Sequence, residues 1–316
     1  MPTASLFADR IVEAIRSRNC PGVINLDPVC ASLPRRFAAA HAPAHCFDER
    51  AALGEVIEYC RRVLQIVAPI VPVVKLNIAY FECFRSAGVD AYYSLIAEAH
   101  RLGLLVIGDV KRGDVGHTAA MYASAHLAAF APESADRAAP DAVTISGYFG
   151  WDGVKPFVDV ARRENKGVFV LVRTSNESAA SVQDVPTRDG PPVHAVVADL
   201  VTKWSHESGT IGSAGYGAIG AVVATRDPAD AAALRKSMPH SIFLVPGYGA
   251  QGGRAEDFAP YVDTFGLGAL IAAGRSVIFA HERPALKERF GDDWEACVQY
   301  AAHEFTADLR RVLPVR

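Results

Sequence analysis

The sequence predicts a (β/α)8 barrel, a closed ring of eight parallel strands surrounded by helices. Three observations favour this fold. Eight short apolar runs are each followed by a segment with helical character. The length of 316 residues suits a single barrel domain. Charged side chains also gather where several of the runs end, which is the face where barrel active sites form. An open, doubly wound sheet is the alternative fold.

The predicted elements alternate regularly after an amphipathic helix within residues 1–19. Apolar runs predict strands at 22–27, 70–75, from 104 onward, and at 141–146, 167–173, 217–224, 241–246 and 264–272. Helices are predicted at 48–67, 79–102, 115–130, 153–165, 194–207 and 227–238, with more towards the C-terminus. The connections 28–47 and 174–192 are long, and the second has the length of a lid. We therefore expect one domain over 1–316, with extended loops after its strands.

Composition argues against several classes of protein. The net charge of −3 and the lack of a Lys/Arg cluster argue against nucleic-acid binding. No apolar run is long enough to span a bilayer, so no membrane association is expected. Six cysteines without a Cys-x-x-Cys pair suit free thiols in the cytoplasm. His41 and His45 flank Pro43 with no acid nearby, which favours a plain loop over a metal site.

The third strand carries the most informative charges. Because side chains alternate between the two faces of a strand, Asp109 and Lys111 should share the inward face of Leu105 and Ile107. Asp114 follows in the loop before the next helix. A surface ion pair is the structural alternative. Charges next to an apolar interior are costly unless function requires them, so we expect a catalytic site here.

Other polar groups are expected at the same barrel face. Asp27 and Lys75 end the first two strands, and Ser175 lies just beyond the fifth. After the seventh strand, Gly247–Gly252 matches Gly-x-Gly-x-x-Gly, but no acid ends the next strand to bind a ribose, which argues against a nicotinamide cofactor. The loops after strands seven and eight of a barrel commonly bind phosphate, where Gln251 and Arg275 could add donors.

Taken together, these motifs resemble the orotidine 5′-phosphate decarboxylase family, in particular its longer bacterial branch. The matching pieces extend from the first strand to the eighth, so the resemblance covers most of the chain. Its pieces are Asn25-Leu-Asp-Pro28, Lys75 with Phe81-Glu82, Asp109-Val-Lys-Arg-Gly-Asp-Val-Gly-His-Thr118, Arg173-Thr-Ser-Asn176, Pro246-Gly-Tyr-Gly-Ala-Gln-Gly-Gly253 and Gly274-Arg275.

The resemblance implies cofactor-free decarboxylation of orotidine 5′-phosphate to uridine 5′-phosphate in a cytoplasmic homodimer. Lys75, Asp109 and Lys111 would form an alternating charge network, completed by Asp114 from the partner subunit. Lys111 would protonate C6 of the pyrimidine, and Asp109 would lie against the substrate carboxylate.

The resemblance also implies the groups that bind the rest of the substrate. Asp27 and Lys75 would hold the ribose hydroxyls, together with Thr118 of the neighbouring chain. The pyrimidine edge and the phosphate would be bound by further residues, namely Ser175 and Asn176 for the edge, and Gln251, Gly274 and Arg275 for the phosphate.

Three alternatives remain open at this point. A Mg²⁺-dependent sugar-phosphate decarboxylase or aldolase of the same superfamily would share Asp109, Lys111 and Asp114, although Lys75 disfavours a divalent cation. A barrel that only binds a nucleotide would retain the same groups without turnover. A Schiff-base lysine enzyme is disfavoured, because acids on both sides of Lys111 raise the pKa of an ammonium rather than lowering it.

Overall fold

The computed structural model of the chain describes residues 6–128, 136–188, 190–225, 227–313 and 315. Its strands pair in parallel in sequence order, and the eighth pairs with the first, so the sheet closes into a barrel. The predicted (β/α)8 fold is therefore confirmed. The strands are β1 Gly22–Leu26, β2 Val73–Asn77, β3 Leu105–Arg112, β4 Ala142–Ser146, β5 Gly167–Arg173, β6 Ile219–Val223, β7 Phe243–Tyr248 and β8 Ala269–Ala273.

Helices cover the outside of this barrel. Three of the longer ones begin at an aspartate whose carboxylate accepts backbone N–H groups of the first turn, at Asp48, Asp227 and Asp293. The helices are α1 Phe7–Arg18, α2 Glu49–Val67, α3 Ala79–Glu82, α4 Arg85–Arg101, α5 Gly116–Leu127, α6 Trp151–Arg163, α7 Ala180–Gln183, α8 Val193–Glu207, α9 Pro228–Ser237, α10 Arg275–Ile278, α11 Pro284–Phe290 and α12 Trp294–Val312. The ends of two predicted helices, at residues 1–5 and 129–130, lie outside the described residues.

The single helix predicted over 79–102 is wrong at one point. The structure divides it into α3 and α4, and Arg85 adopts a φ of 55° at the break. A Cβ on Gly88 would lie 1.8 Å from the carbonyl oxygen of Phe81, so the two segments meet backbone to backbone. The sequence pattern continues across this break, which explains why the pattern did not reveal it.

The barrel interior is apolar at its amino-terminal end, where α1 closes it. Ile11 and Ile15 of α1 belong to the same buried cluster as Val23, Ile107 and Leu244 from the strands. Burying these side chains against one another removes apolar surface from water, which is the main stabilising contribution expected here. The N-terminal helix α1 therefore covers the amino-terminal opening of the barrel, and we call it the floor of the barrel.

A close contact fixes the position of this helix. The ring of Phe7 packs edge-to-face on Phe169, with 6.2 Å between the ring centroids. A Cβ at Gly167 would lie only 2.2 Å from the Phe7 ring, so a larger residue cannot be accommodated without moving the helix.

The long connection 28–47 packs against the helical layer. Phe37 is almost fully buried and lies 5.8 Å from Tyr59 and 6.0 Å from Trp294, measured between ring centroids. The backbone N–H of Ala40 donates to Glu55 of α2 at 2.8 Å. This extended loop thus seals the junction between α2 and α12. None of the described helices combines the length and apolarity needed to cross a bilayer.

A buried carboxylate ties the floor of the barrel to its wall. Asp141, just before β4, accepts hydrogen bonds from Arg10 of α1 at 2.8 Å and from the backbone of Val106 at 2.8 Å. The ring nitrogen Nε2 of His100, in α4, lies 2.9 Å from Oδ2 of the same carboxylate. Although burial opposes ionisation, His100 and Arg10 lower the pKa of Asp141 below its usual value.

We expect Asp141→Asn to destabilise the fold by about 2–4 kcal/mol, because a partly buried guanidinium loses its charged partner. Denaturant unfolding at pH 7 measures this loss. Asp159→Asn is the matched control, since Asp159 pairs with Lys155 on an exposed helix face and should change stability by less than about 0.5 kcal/mol. Equal stability of the two variants would show that the ion pair between Asp141 and Arg10 does not stabilise the fold.

The stability lost in Asp141→Asn should depend on pH. Because the folded state depresses the pKa of Asp141, its ionised form stabilises the protein fully above the ordinary carboxyl pKa of 3.8. This stabilisation declines as the pH falls through the lower folded pKa. The difference between wild type and Asp141→Asn should therefore be present above pH 3.8 and shrink below it.

Candidate active site

The candidate site lies above the apolar floor, at the carboxyl ends of the strands. Residues in register on neighbouring parallel strands face the same side, and Lys75 of β2 pairs with Ile107 of β3. Leu105 and Ile107 pack with the interior cluster, and Asp109 lies on the same face two residues further along. The predicted inward position of Asp109 is confirmed.

Asp109 is the centre of a charged network. Lys75 Nζ donates to its Oδ2 at 2.5 Å, and Lys111 Nζ donates to its Oδ1 at 2.5 Å. The hydroxyl of Thr144 donates to the same Oδ1 at 2.8 Å. The side chains of Lys75 and Asp109 are 8% and 7% exposed, whereas that of Lys111 is 50% exposed. Lys111 is thus the member of the network with the most access to a ligand.

These charges hold one another ionised. Burial favours a neutral carboxyl, but the two ammonium groups outweigh it and keep the pKa of Asp109 well below its usual range. Burial likewise favours a neutral amine, yet Asp109 and Asp27 raise the pKa of Lys75 above its usual value of 10.5. The pair is therefore charged throughout the neutral pH range.

Asp27 approaches this network from β1. Its Oδ1 lies 3.9 Å from Lys75 Nζ, which is an ion pair but too long for a hydrogen bond. That oxygen is buried and has no hydrogen-bond partner in the described part of the chain. Burial raises the pKa of Asp27, although Lys75 acts in the opposite direction. A buried acceptor without a donor can receive a hydroxyl group of a bound ligand.

Lys111 occupies an irregular part of β3. Its φ of 43° lies in the left-handed region, which residues with a Cβ seldom adopt. The pairing of β3 with β4 shifts register between Gly108 and Arg112, as at a β-bulge. Simple alternation therefore does not extend to Lys111, although its ammonium still reaches Asp109 as expected.

Arg112 anchors the end of this irregular segment. Its guanidinium donates to Glu82 of α3 and to the carbonyl oxygen of Val110. It also lies 5.7 Å from the ring centroid of Tyr122 on α5, within cation–π range. Neither Arg112 nor Glu82 was predicted to have a role, because nothing in their spacing indicates that they pair.

Asp114 and Thr118 lie apart from the network within one chain. Asp114 Oδ1 accepts the backbone N–H of Val115 at 2.8 Å, and no ion pair joins Asp114 to Lys75 or Lys111 among the described residues. Thr118 is on the first turns of α5 and is partly exposed. The fold brings neither side chain to Asp109 of the same chain.

A cavity of about 1040 Å³ opens between the loops that follow β5, β6 and β7. Ser175, Asn176 and Gln251 line it, as do Gly247, Gly252 and Gly253. Asp109 and Lys111 lie outside its lining, and so do Gly274 and Arg275, so the cavity brings together the residues predicted for the pyrimidine edge with Gln251 alone of the three predicted for the phosphate. Its lining also includes Arg173 and Thr225, which the sequence analysis did not assign to the site.

The predicted phosphate loops have the backbone that their glycines imply. Gly247, Gly249 and Gly252 adopt φ values of 126°, 69° and 85°, a region that favours glycine. Gly274 directly follows β8, and Arg275 begins α10 with an exposed side chain. Arg275 and Gln251 are therefore on neighbouring loops at one side of the barrel mouth.

The connection 174–192 is folded rather than extended. Arg173 donates to Gln183 at 3.1 Å and to Asp184 at 2.8 Å, which ties α7 back to the end of β5. Asn176 accepts the hydroxyl of Thr174 at 2.6 Å, so its amide oxygen is already used locally. The lid predicted from loop length thus contains a short helix held by side chains, a feature that loop length alone does not reveal.

Sequence comparison identifies relatives of the whole chain. The profile of the orotidine 5′-phosphate decarboxylase / HUMPS family matches residues 53–288. An orotidine 5′-phosphate decarboxylase from Rhodopirellula baltica is 36% identical over 305 residues, which cover 96% of this chain and 99% of the relative. Another from Caldicellulosiruptor bescii is 34% identical over 279 residues, covering 87% of this chain and 90% of the relative.

Structural comparison agrees with these relatives. A solved structure of a proposed orotidine 5′-phosphate decarboxylase from Streptomyces avermitilis superposes with a TM-score of 0.78 and 27% identity, covering 98% of this chain and 97% of the other. The profile match and the two relatives extend over the strands that carry the charged network. The chain therefore belongs to the orotidine 5′-phosphate decarboxylase family.

Proposed function

We propose that the protein converts orotidine 5′-phosphate into uridine 5′-phosphate and carbon dioxide, as a step of pyrimidine synthesis, with no cofactor. The observation that carries this proposal is the carboxylate of Asp109 held between the ammonium groups of Lys75 and Lys111, inside the barrel mouth. The family of the chain supports the same reaction.

The reaction demands stabilisation of a localised carbanion. When the bond between C6 and the carboxylate breaks, its electron pair stays on C6 in an orbital that cannot delocalise into the ring. A fixed ammonium beside C6 stabilises that charge directly. Lys111 supplies it and then transfers a proton from Nζ to C6, which arginine would do poorly because of its high pKa. Solvent returns the proton to Lys111 afterwards.

Asp109 and Lys75 prepare Lys111 for this role. Both oxygens of Asp109 are engaged by donors, so its carboxylate is held in place before the substrate arrives. In the complex it lies against the substrate carboxylate, and the repulsion between them ends as carbon dioxide leaves. Enzymes lower barriers by roughly 8–23 kcal/mol, and this reaction requires the upper part of that range. Preorganised charge accounts for most of it.

The remaining contacts bind the parts of the substrate that do not react. Asp27 and Lys75 bind the ribose hydroxyls, for which Asp27 offers its unpaired buried oxygen. Ser175 and Asn176 bind the pyrimidine edge. Gln251, Gly274 and Arg275 bind the phosphate, whose binding energy helps to hold C6 against Lys111.

A homodimer completes the site in this proposal. Asp114 and Thr118 have no contact with the network of their own chain, and they adjoin an exposed apolar surface. Val115, next to Asp114, is 54% exposed, and Met121, one turn after Thr118 on α5, is 62% exposed; neighbouring exposed apolar side chains of this kind can form a protein interface. Pairing of two such surfaces would place Asp114 and Thr118 at the neighbouring site.

The proposed location is the cytoplasm. All six cysteines are free thiols, and Cys46 and Cys83 are exposed. Exposed thiols persist in a reducing compartment, where soluble nucleotide synthesis also takes place. No nucleic-acid or membrane partner is proposed.

The groups around Asp109 are poorly suited to bind the Mg²⁺ that the alternative reaction requires. A divalent cation at Asp109 would face the ammonium groups of Lys75 and Lys111, each 2.5 Å from a carboxylate oxygen. Hard cations bind where carboxylates are free to donate lone pairs. A reaction unaffected by a chelator is therefore expected.

The central test is turnover by the purified protein, followed by the loss of orotidylate absorbance. We expect Lys111→Ala to lower kcat by at least about a thousandfold, because it removes both the charge and the proton donor. Lys155→Ala is the matched control, since this lysine lies on the exposed face of α6. Full activity of Lys111→Ala, or no turnover by wild type, would refute the proposal; binding without turnover would indicate a nucleotide-binding barrel.

Arg275→Ala tests the phosphate assignment. Loss of one charge-assisted contact should raise KM for orotidine 5′-phosphate by about 10–100-fold. Orotidine, the nucleoside without phosphate, is the matched control substrate and should be decarboxylated equally slowly by both proteins. A similar fall in kcat/KM with both substrates would contradict the proposal that Arg275 binds the phosphate.

Subunit mixing tests whether Asp114 acts across a dimer. Lys111→Ala and Asp114→Asn should each have little activity alone. After unfolding and refolding together, half of the dimers should be mixed and each should contain one intact site, restoring about a quarter of wild-type activity. If the mixture stays inactive while native mass spectrometry shows mixed dimers, Asp114 acts within its own chain.

A further inference from the structure

Thr144 lies at the junction of the two principal catalytic groups. It is the middle residue of β4, it is 1% exposed, and it is in register with Phe169 on the inward face of the barrel. Its hydroxyl accepts the backbone N–H of Lys111 at 3.0 Å and donates to Asp109 Oδ1 at 2.8 Å. One oxygen atom therefore connects the backbone of the proposed proton donor to the carboxylate beside it.

The first of these bonds supports a strained backbone. Lys111 adopts a φ of 43° where the ladder between β3 and β4 is interrupted. The side chain of Thr144 supplies the acceptor for its amide at this interruption. A non-glycine residue stays in the left-handed region only when its surroundings hold it there. Thr144 is one of the groups that do so.

The second bond fixes the orientation of Asp109. Its other two donors are lysine ammonium groups on flexible side chains, and an ammonium can follow a carboxylate as it turns. Threonine is stiff at χ1 and is held by a strand, so its hydroxyl provides a fixed point. Without it, the plane of the Asp109 carboxylate would no longer be set relative to the backbone of Lys111.

Packing alone does not require threonine at this position. Valine has nearly the same shape and would avoid burying a hydroxyl, which is costly unless the hydroxyl is bonded. The described hydrogen bonds of this hydroxyl go to Asp109 and Lys111. We propose that Thr144 is a positioning residue for the decarboxylation, setting Lys111 and Asp109 relative to each other. This inference rests on the proposed function of the site.

The test compares Thr144→Val, which removes the hydroxyl and keeps the shape, with Thr144→Ser, which keeps the hydroxyl. For Thr144→Val we expect kcat to fall by about 10–100-fold, because small misplacements of catalytic groups have effects of this size. KM and the dissociation constant of uridine 5′-phosphate should each change by less than about threefold, since the hydroxyl of Thr144 bonds to Lys111 and Asp109 and to none of the residues proposed to bind the phosphate or the pyrimidine edge. Thr144→Ser should recover most of kcat.

Thr306→Val is the matched control. Thr306 is fully buried in α12 and donates to the carbonyl oxygen of His303, away from the barrel interior. Loss of the Thr306 hydroxyl should lower the stability of the protein but leave kcat unchanged. An active wild type combined with an unchanged kcat in folded Thr144→Val overturns the inference alone. So does a kcat of Thr144→Ser as low as that of Thr144→Val. An inactive wild type overturns the proposed function instead.

Discussion

The structure depends on keeping one carboxylate ionised inside a barrel. Asp109 is nearly inaccessible to solvent, and an isolated charge there would be unstable. Lys75 compensates for it from the neighbouring strand, and Lys111 and Thr144 occupy its other oxygen. Each of these groups is on a different segment of the wall or rim. Their convergence therefore requires β2, β3 and β4 to pair with the observed register, and a slip of one residue would turn Lys75 to the opposite face.

Much of this arrangement could be predicted from the sequence. The strands were recognisable as apolar runs, and parallel strands that end on charged residues must present them at one face. Asp27, Lys75 and Asp109 followed from that argument. The backbone of the loop after β7, proposed to bind phosphate, was recognisable from the glycines at 247, 249 and 252, each of which adopts a positive φ. These features depend on local sequence, which is why they could be predicted.

The features that escaped prediction arise from contacts between distant segments. Alternation cannot foresee the bulge at Lys111, because the register shift is a property of two strands. The break between α3 and α4 depends on a contact of Gly88 with Phe81, and the helix in the 174–192 loop depends on Arg173. Thr144 gave one signal, a polar residue at an inward position of an apolar strand, but its partners were identifiable only in three dimensions.

The strand β4 has a further consequence for how this sequence can vary. Asp141, just before this strand, binds Arg10 of the helix that covers the amino-terminal end of the barrel, and Thr144, three positions on, bonds to Lys111 and Asp109 of the proposed site. Barrel enzymes usually separate residues that maintain the fold from residues that perform chemistry, at opposite faces. Here Asp141, next to one short strand, stabilises the fold, and Thr144, within that strand, positions Lys111 and Asp109 in the proposed mechanism. A substitution in β4 that loosens the contact with α1 would accordingly also shift Thr144 relative to Lys111 and Asp109.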